Sequence, residues 1–318
     1  MNFQDLKKIE NADFYIDVAF RRASEQANIT RSSVAGKSTS RIEKSKSIEL
    51  EKLATIKQTI SEFFEKIVHN FPSLDDLPEF YKELVKTTLD YEILKKSLGA
   101  VNSQRLVLYD IFKIYNFKIK KCNDMQKIND YRREFYGRVS SLPKRIKNEL
   151  AYLEKARKTM RNFPAIKTGM PTVAIAGFPN VGKSTLLAKL TTSNPEINSY
   201  PFTTKGLNVG YMEQRYDKVQ FIDTPGTLNR FEKMNYIERA AYLAMKYAAD
   251  KIIYIFDPTE EYPLLDQMKL LENTKKLGKE IIIYISKADI ADKKILESLK
   301  SKYKDAKISA DEIKKIKF

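Results

Sequence analysis

The stretch Gly177-Phe178-Pro179-Asn180-Val181-Gly182-Lys183-Ser184-Thr185 constrains this chain more than any other. An apolar run, Val173 to Ala176, precedes it and reads as a buried strand; Leu186 to Leu190 follows and reads as the first turns of a helix. Strand, glycine loop and helix in that order suit a polyphosphate. Gly177 and Gly182 let the backbone bend tightly, so that successive N–H groups point inward at phosphate oxygens. The loop residues expected to hold the ligand are Phe178, Pro179, Asn180, Val181, Gly182, Lys183, Ser184 and Thr185. Lys183 can reach the β- and γ-phosphates, the helix opening there adds its positive end, and the Ser184 hydroxyl is placed to ligate Mg²⁺. A second run, Ala35-Gly36-Lys37-Ser38-Thr39, echoes the pattern, but Arg31 stands where the leading glycine belongs and no strand precedes it.

Around this stretch the chain has two textures. Residues 1–165 contain only Gly36, Gly99 and Gly137 and show helical spacing almost throughout. A first amphipathic helix carries Phe14, Val18 and Phe20 to about Asn28, and the polar run Arg31 to Arg41 reads as a mobile loop. A long helix follows from Ile42 to about Val68. Beyond the acidic pair Asp75-Asp76, read as a helix cap, apolar positions recur through Phe117 and again through Leu153. Five or so helices of this kind make an all-α bundle. Residues 166–171 read as a linker. From Thr172 to Phe318 short apolar strands at 172–176, 207–212, 219–222, 251–256, 280–285 and 306–308 alternate with helices near 184–192, 235–249, 263–277 and 291–302. That alternation specifies an α/β domain with a mostly parallel sheet, the phosphate loop following its first strand.

Further pieces of a nucleotide site come in order along this second half. Asp223-Thr224-Pro225-Gly226 closes a strand: Asp223 can hold Mg²⁺ through water, and the Gly226 amide can sense a γ-phosphate. Thr204, in a polar segment before the second strand, can complete the Mg²⁺ shell. Ser286-Lys287-Ala288-Asp289 follows a buried strand, and a carboxylate there accepts from guanine N1–H and its exocyclic amine, a pattern adenine lacks. Ser309-Ala310 offers an amide to the guanine O6. Lys183, Thr204, Gly226 and Asn180 are the expected catalytic set, and Ser184, Thr204 and Asp223 the metal set.

The set GFPNVGKST, YPFTTKG, DTPG, SKAD and ISA resembles the translation-factor-related GTPases of the Obg type. FPSLDDLPEFY at 71–81, YEILKKSLG at 91–99 and the basic helices leading into NFPAI at 162–166 resemble the N-terminal domain of the nucleolar GTP-binding protein 1 family. The resemblance implies a P-loop GTPase domain behind a helical bundle, binding GTP/GDP with Mg²⁺ and acting in large ribosomal subunit assembly. Its expected partners are the subunit precursor with its ribosomal RNA and ribosomal proteins. Three departures matter. Ser286 replaces the usual asparagine, removing or altering a tether of the base loop. Thr227 stands where a water-orienting glutamine sits in Ras-like proteins, which implies slow hydrolysis. The chain stops at Phe318, as a compact archaeal-type form would. Asn180 matches the position that helps bind K⁺ in several Obg relatives; it either holds that ion or only shapes the loop. The competing reading is an RNA-binding assembly factor whose nucleotide site is structural.

Composition narrows the remainder. A formal charge of +16 favours a polyanionic partner. Between Lys118 and Arg161 fourteen basic residues face five acidic ones, with Tyr115, Tyr131, Phe135 and Tyr136 interleaved. Arg132, Arg133, Arg138, Lys144 and Arg145 are the expected RNA contacts. Cys122 is the only cysteine, which excludes a disulfide framework or a cysteine-built metal site, and His69 is the only histidine, which argues against triads and His-ligated metals within one chain. No apolar run approaches the ~18 residues of a membrane span, so the expectation is no membrane partner and a cytoplasmic location.

Overall fold

The computed structural model describes residues 3–36, 38–191, 196–197, 207–214, 217–225, 234, 236–259 and 261–318. The chain divides into two compact units. One comprises residues 4–76 and 89–161; the other comprises 1–3, 77–88 and 162–318. The sequence pattern instead assigned all of 1–165 to the bundle.

The helical unit contains α1 (Ala12–Ala35), α2 (Arg41–Asn70), α4 (Tyr91–Lys121), α5 (Met125–Arg145) and α6 (Lys147–Arg161). Side-chain caps fix their starts: Asn11 accepts from the Phe14 N–H, Asp90 from Ile93 and Asp124 from Gln126, while Ser40 and Glu43 form a reciprocal capping box. On α2, Leu53, Ile56, Ile60, Phe64 and Ile67 are buried at steps of three and four. On α4, Leu94, Val101, Leu108 and Tyr115 are buried at steps of seven, a narrower stripe. The helical spacing read along this segment also runs through Ile114 and Phe117, but the stripe is too narrow to take them in. They lie off the stripe and are exposed, as are Leu106 and Tyr109.

The expected loop from Arg31 to Arg41 is also corrected, since α1 continues to Ala35. The hydroxyls of Thr30, Ser32 and Ser33 donate to the carbonyls of Gln26, Asn28 and Thr30, so polar residues stay in the helix, and Val34 is buried. Asp75 accepts from the Tyr91 hydroxyl and the Lys95 ammonium.

The second unit is built on a six-stranded sheet of β1 (Thr172–Ala176), β2 (Glu196–Ile197), β3 (Asn208–Gln214), β4 (Asp217–Asp223), β5 (Lys251–Phe256) and β6 (Glu280–Ile285), in the order β2-β3-β4-β1-β5-β6. β4, β1, β5 and β6 run parallel; β2 and β3 are antiparallel to their neighbours. The helices are α7 (Lys183–Leu190), α8 (Tyr236–Leu243), α9 (Leu264–Lys275), α10 (Lys293–Lys302) and α11 (Ala310–Lys314), with a π-helical turn at Ala244–Ala248 after α8. Of the expected last strand only a parallel bridge between Tyr284 and Lys307 forms. The two-residue β2 carries no period to read. β1 is buried at every position, and its register sets Ile175 beside Asp223 and Ala176 beside Tyr254. The loop leaving β1 therefore emerges between the carboxyl ends of β4 and β5, where open α/β sheets bind ligands.

Helix α3 (Glu79–Thr88) belongs to this unit. Its buried Tyr81 hydroxyl accepts from the Ile166 N–H at 2.9 Å and lies 2.9 Å from the Pro164 carbonyl, and the Phe3 ring packs edge-on against Tyr81 and Phe163. Those bonds hold residues 162–166 against the sheet unit.

Candidate functional site

The turn after β1 depends on two glycines. At Gly177 (φ +150) a Cβ would lie 2.9 Å from the Ile255 carbonyl oxygen, and Gly182, with φ +92, caps α7 in the left-handed region. Asn180 between them also has a positive φ, 60°, and its Nδ2 donates to Glu261 Oε1 at 3.0 Å. The Phe178 ring packs 4.8 Å from the Tyr262 ring. Lys183, first residue of α7, is buried, and its ammonium donates to the Phe178 carbonyl at 2.5 Å inside the loop. Burial lowers the pKa of that ammonium to about 8, against the opposing influence of Asp223.

Next to it, Ser184 Oγ donates to Asp223 Oδ2 at 2.5 Å, and Asn208 Nδ2 donates to the same oxygen at 3.2 Å. Asp223 closes β4 and is buried. Burial pushes its carboxyl above the ordinary range, while Ser184, Lys183 and Asn208 pull the other way. Its Oδ1 is buried with no hydrogen-bond partner among the described residues. A hydroxyl and a carboxylate with a spare oxygen are the donors a hard divalent cation takes. Thr224 locks the strand end by donating to the Ile175 carbonyl at 2.7 Å. Thr204 and Gly226 lie outside the described residues.

The second loop of the site follows β6. Ser286 is buried, and both its N–H and its hydroxyl donate to the Phe256 carbonyl, at 2.9 and 3.1 Å. The serine thus tethers this loop to the end of β5. Lys287 has φ 49°, and its ammonium meets Asp257 Oδ2 at 2.6 Å and Glu261 Oε2 at 3.5 Å. Asp257 is fully buried; burial alone would raise its pKa, but the Lys287 ammonium and the Thr259 hydroxyl and N–H hold it below the ordinary range. Asp289 is exposed in the turn beyond. Ser309 caps α11 through the Asp311 N–H, and Ala310 opens that helix, just past the Lys307 bridge to β6. The structure therefore gathers the phosphate loop, Asp223 and the Ser286–Asp289 turn at the carboxyl ends of β1, β4 and β6, with Ser309–Ala310 following the bridge beside β6.

Residues 172–287 match the family described as 50S ribosome-binding GTPase, and residues 3–167 match the NOG1 N-terminal helical domain. The chain belongs to the nucleolar GTP-binding protein 1 family. It is 38% identical over 294 residues to an uncharacterized protein of Methanocaldococcus jannaschii, covering 91% of this chain and 81% of that one. It is 34% identical to nucleolar GTP-binding protein 1 of Drosophila melanogaster over 75% of this chain and 37% of that protein. With the Arabidopsis thaliana protein of that name the identity is 30%, over 98% of this chain and 48% of the other. The chain thus spans less than half the length of these two eukaryotic relatives. As the family implies, a helical N-terminal part precedes a P-loop GTPase domain.

Membership does not locate an RNA surface, and the expected one needs correction. Arg132 donates to Glu49 Oε1 of α2 at 3.1 Å, and Glu49 is buried, so this arginine is turned into the bundle. Arg157, counted in the basic run, is buried against Glu154 and the Leu6 carbonyl. Tyr115 and Phe135 are core residues. Arg133, Arg138, Lys144 and Arg145 are exposed. Sequence reasoning missed Asp257, Glu261 and Asn208. A signal existed for Asp257, which directly follows the strand Lys251–Phe256 on the edge where the other loops converge. Among the described residues no helix is long and apolar enough to cross a membrane, and no cluster of three or more metal-binding His, Cys, Asp or Glu occurs.

Proposed function

We propose that this chain binds GTP and GDP with Mg²⁺ at the phosphate loop, hydrolyses GTP slowly, and acts as a switch in assembly of the large ribosomal subunit. The observation that carries the reading is the pair of buried charges Lys183 and Asp223 at the loop, with Ser184 bonded to Asp223 Oδ2 and Asp223 Oδ1 unpartnered among the described residues. Lys183 can exchange the Phe178 carbonyl for β- and γ-phosphate oxygens, in surroundings where one charge counts for more than in water. Ser184 directly, and Asp223 through water, would hold Mg²⁺. When bound, the ion neutralises charge developing on the phosphates. Thr204 is proposed as the third oxygen ligand and Gly226 as the γ-phosphate sensor; their ordering on GTP binding would make the switch. Asp289 would read guanine N1–H and the exocyclic amine, with the amide near Ser309 and Ala310 on O6. Thr227 in place of a glutamine supports a slow intrinsic rate.

The relatives' names, nucleolar GTP-binding protein 1, support the nucleotide, and the description 50S ribosome-binding GTPase supports the partner. The helical unit, through Arg133, Arg138, Lys144 and Arg145, would meet ribosomal RNA, with ribosomal proteins alongside, in the cytoplasm. Titration calorimetry at millimolar Mg²⁺ should show GDP and GTP binding that ATP does not match; absence of guanine nucleotide binding overturns the proposal. Single-turnover GTP hydrolysis should then accelerate with large ribosomal subunits. Binding without stimulated turnover would favour the second reading, an assembly factor with a structural nucleotide. Faster hydrolysis in K⁺ than in Na⁺ would assign the ion to Asn180, and equal rates would leave that residue a loop-shaping role.

A further inference from the structure

Two described residues other than glycine have a left-handed backbone: Asn180, in the phosphate loop, and Lys287, in the loop after β6. One carboxylate meets the side chains of both. Glu261 accepts from Asn180 Nδ2 on Oε1 at 3.0 Å and faces the Lys287 ammonium with Oε2 at 3.5 Å. Conformations of this kind are strained for a residue other than glycine and persist where surrounding structure over-determines them. Asp257 supplies a second anchor for Lys287. For the Asn180 side chain the bond to Glu261 is the described one.

A carboxylate can only accept hydrogen bonds, so it also decides which end of the Asn180 amide faces it: Nδ2 toward Glu261, Oδ1 away. The adjacent Tyr262 ring lies on Phe178, so the 261–262 segment touches the phosphate loop at two points. Ser286 cannot perform the bridging, because its hydroxyl donates to Phe256 on β5.

We infer that Glu261 is a positioning residue that joins the phosphate loop to the base loop, holding Asn180 and Lys287 in the geometry a bound guanine nucleotide requires. This rests on the nucleotide reading above. The charge of Glu261 is half-exposed, 42% by side chain, so its bond should matter for preorganisation more than for global stability.

The test uses the full chain and fluorescent N-methylanthraniloyl-GDP, with dissociation followed by stopped flow. Glu261→Ala should speed release on the order of fivefold, the worth of one net hydrogen bond of about 1 kcal/mol. Glu261→Gln, which still offers an oxygen to Asn180, should restore most of the wild-type lifetime. The pair Glu261→Ala with Asn180→Ala should release more slowly than the product of the two single effects, because Asn180→Ala already breaks one of the two links that Glu261 makes. Should Glu261→Ala lower the melting temperature, the isosteric glutamine variant and the non-additivity still decide the matter. Release within twofold of wild type for Glu261→Ala, or fully additive effects in the pair, overturns the inference while leaving the nucleotide site intact. A wild-type chain that binds no guanine nucleotide overturns the underlying reading, and this one with it.

Discussion

The phosphate loop and the basic helices α4 to α6 both put cations where an anion could bind, but they do so by different means. In the loop a single ammonium, Lys183, is buried and destabilised in its charged form, and the surrounding backbone is bent at Gly177 and Gly182 to accommodate a ligand. Along the helices fourteen basic residues crowd five acidic ones, yet Arg132 and Arg157 point inward and pair with Glu49 and Glu154. Spacing therefore specifies a site, whereas a tally of charge specifies a surface only after the inward-facing residues are removed. A buried cation is costly unless something compensates it, so the loop's charge is committed to a ligand in a way that an exposed arginine's is not.

The sharpest way to break that contrast is Lys183→Ala. Removing the one ammonium should weaken GDP and GTP binding by about 100-fold or more, as judged against the tenfold that each 1.4 kcal/mol represents. Calorimetry reads this directly, and retained tight binding would reduce the loop to an ordinary strand-to-helix turn. Next in size is Asp289→Ala. With the exposed carboxylate gone, the preference for GTP over ATP should fall by roughly 30-fold in competition assays, since a site built to pair with a donor rejects ligands lacking it. An unchanged preference would move base recognition elsewhere.

Titration gives a third test. The Lys183 ammonium has a pKa of about 8 in the free protein, and an adjacent phosphate can only raise it. Binding above pH 8 must therefore take up a proton. Affinity should be level below pH 7 and fall as pH rises through 8 toward 9.5, by at most about tenfold per unit. A flat profile to pH 9.5 would mean that the ammonium is not at the phosphates.

These outcomes bear on what the sequence could disclose. The phosphate loop, its flanking strand and helix, and the alternation after Thr172 were legible because each is a local pattern of apolar period and glycine placement. The end of α1 was not. Thr30, Ser32 and Ser33 suggest a loop by composition, and only their hydroxyl bonds to preceding carbonyls reconcile them with a helix. Glu261 was hidden for another reason: its partners, Asn180 and Lys287, are 81 and 26 residues away, and a single acidic residue in a loop has no pattern. Helix α3 packs with the sheet unit although its spacing reads like that of its helical neighbours, because burial of Tyr81 beside Ile166 is a tertiary choice.

The smallest effect separates the two kinds of arginine on the bundle. Glu49 keeps Lys52 at 2.8 Å when Arg132 is removed, so Arg132→Ala should cost only about 1 kcal/mol, a melting temperature a few degrees lower. Because its guanidinium already has a partner, the slope of RNA affinity against salt should hardly change. Arg133 is 77% exposed by side chain, and Arg145 is exposed as well. Neutralising those two should leave the melting temperature unchanged and flatten the salt slope by about 0.9 for each phosphate that the protein no longer neutralises. Filter binding to ribosomal RNA across a salt series, alongside thermal melts, reads both quantities. If Arg132→Ala flattens the slope as much as the exposed pair does, the internal ion pair opens on RNA binding, and burial in the free protein is no guide to which charges face the RNA.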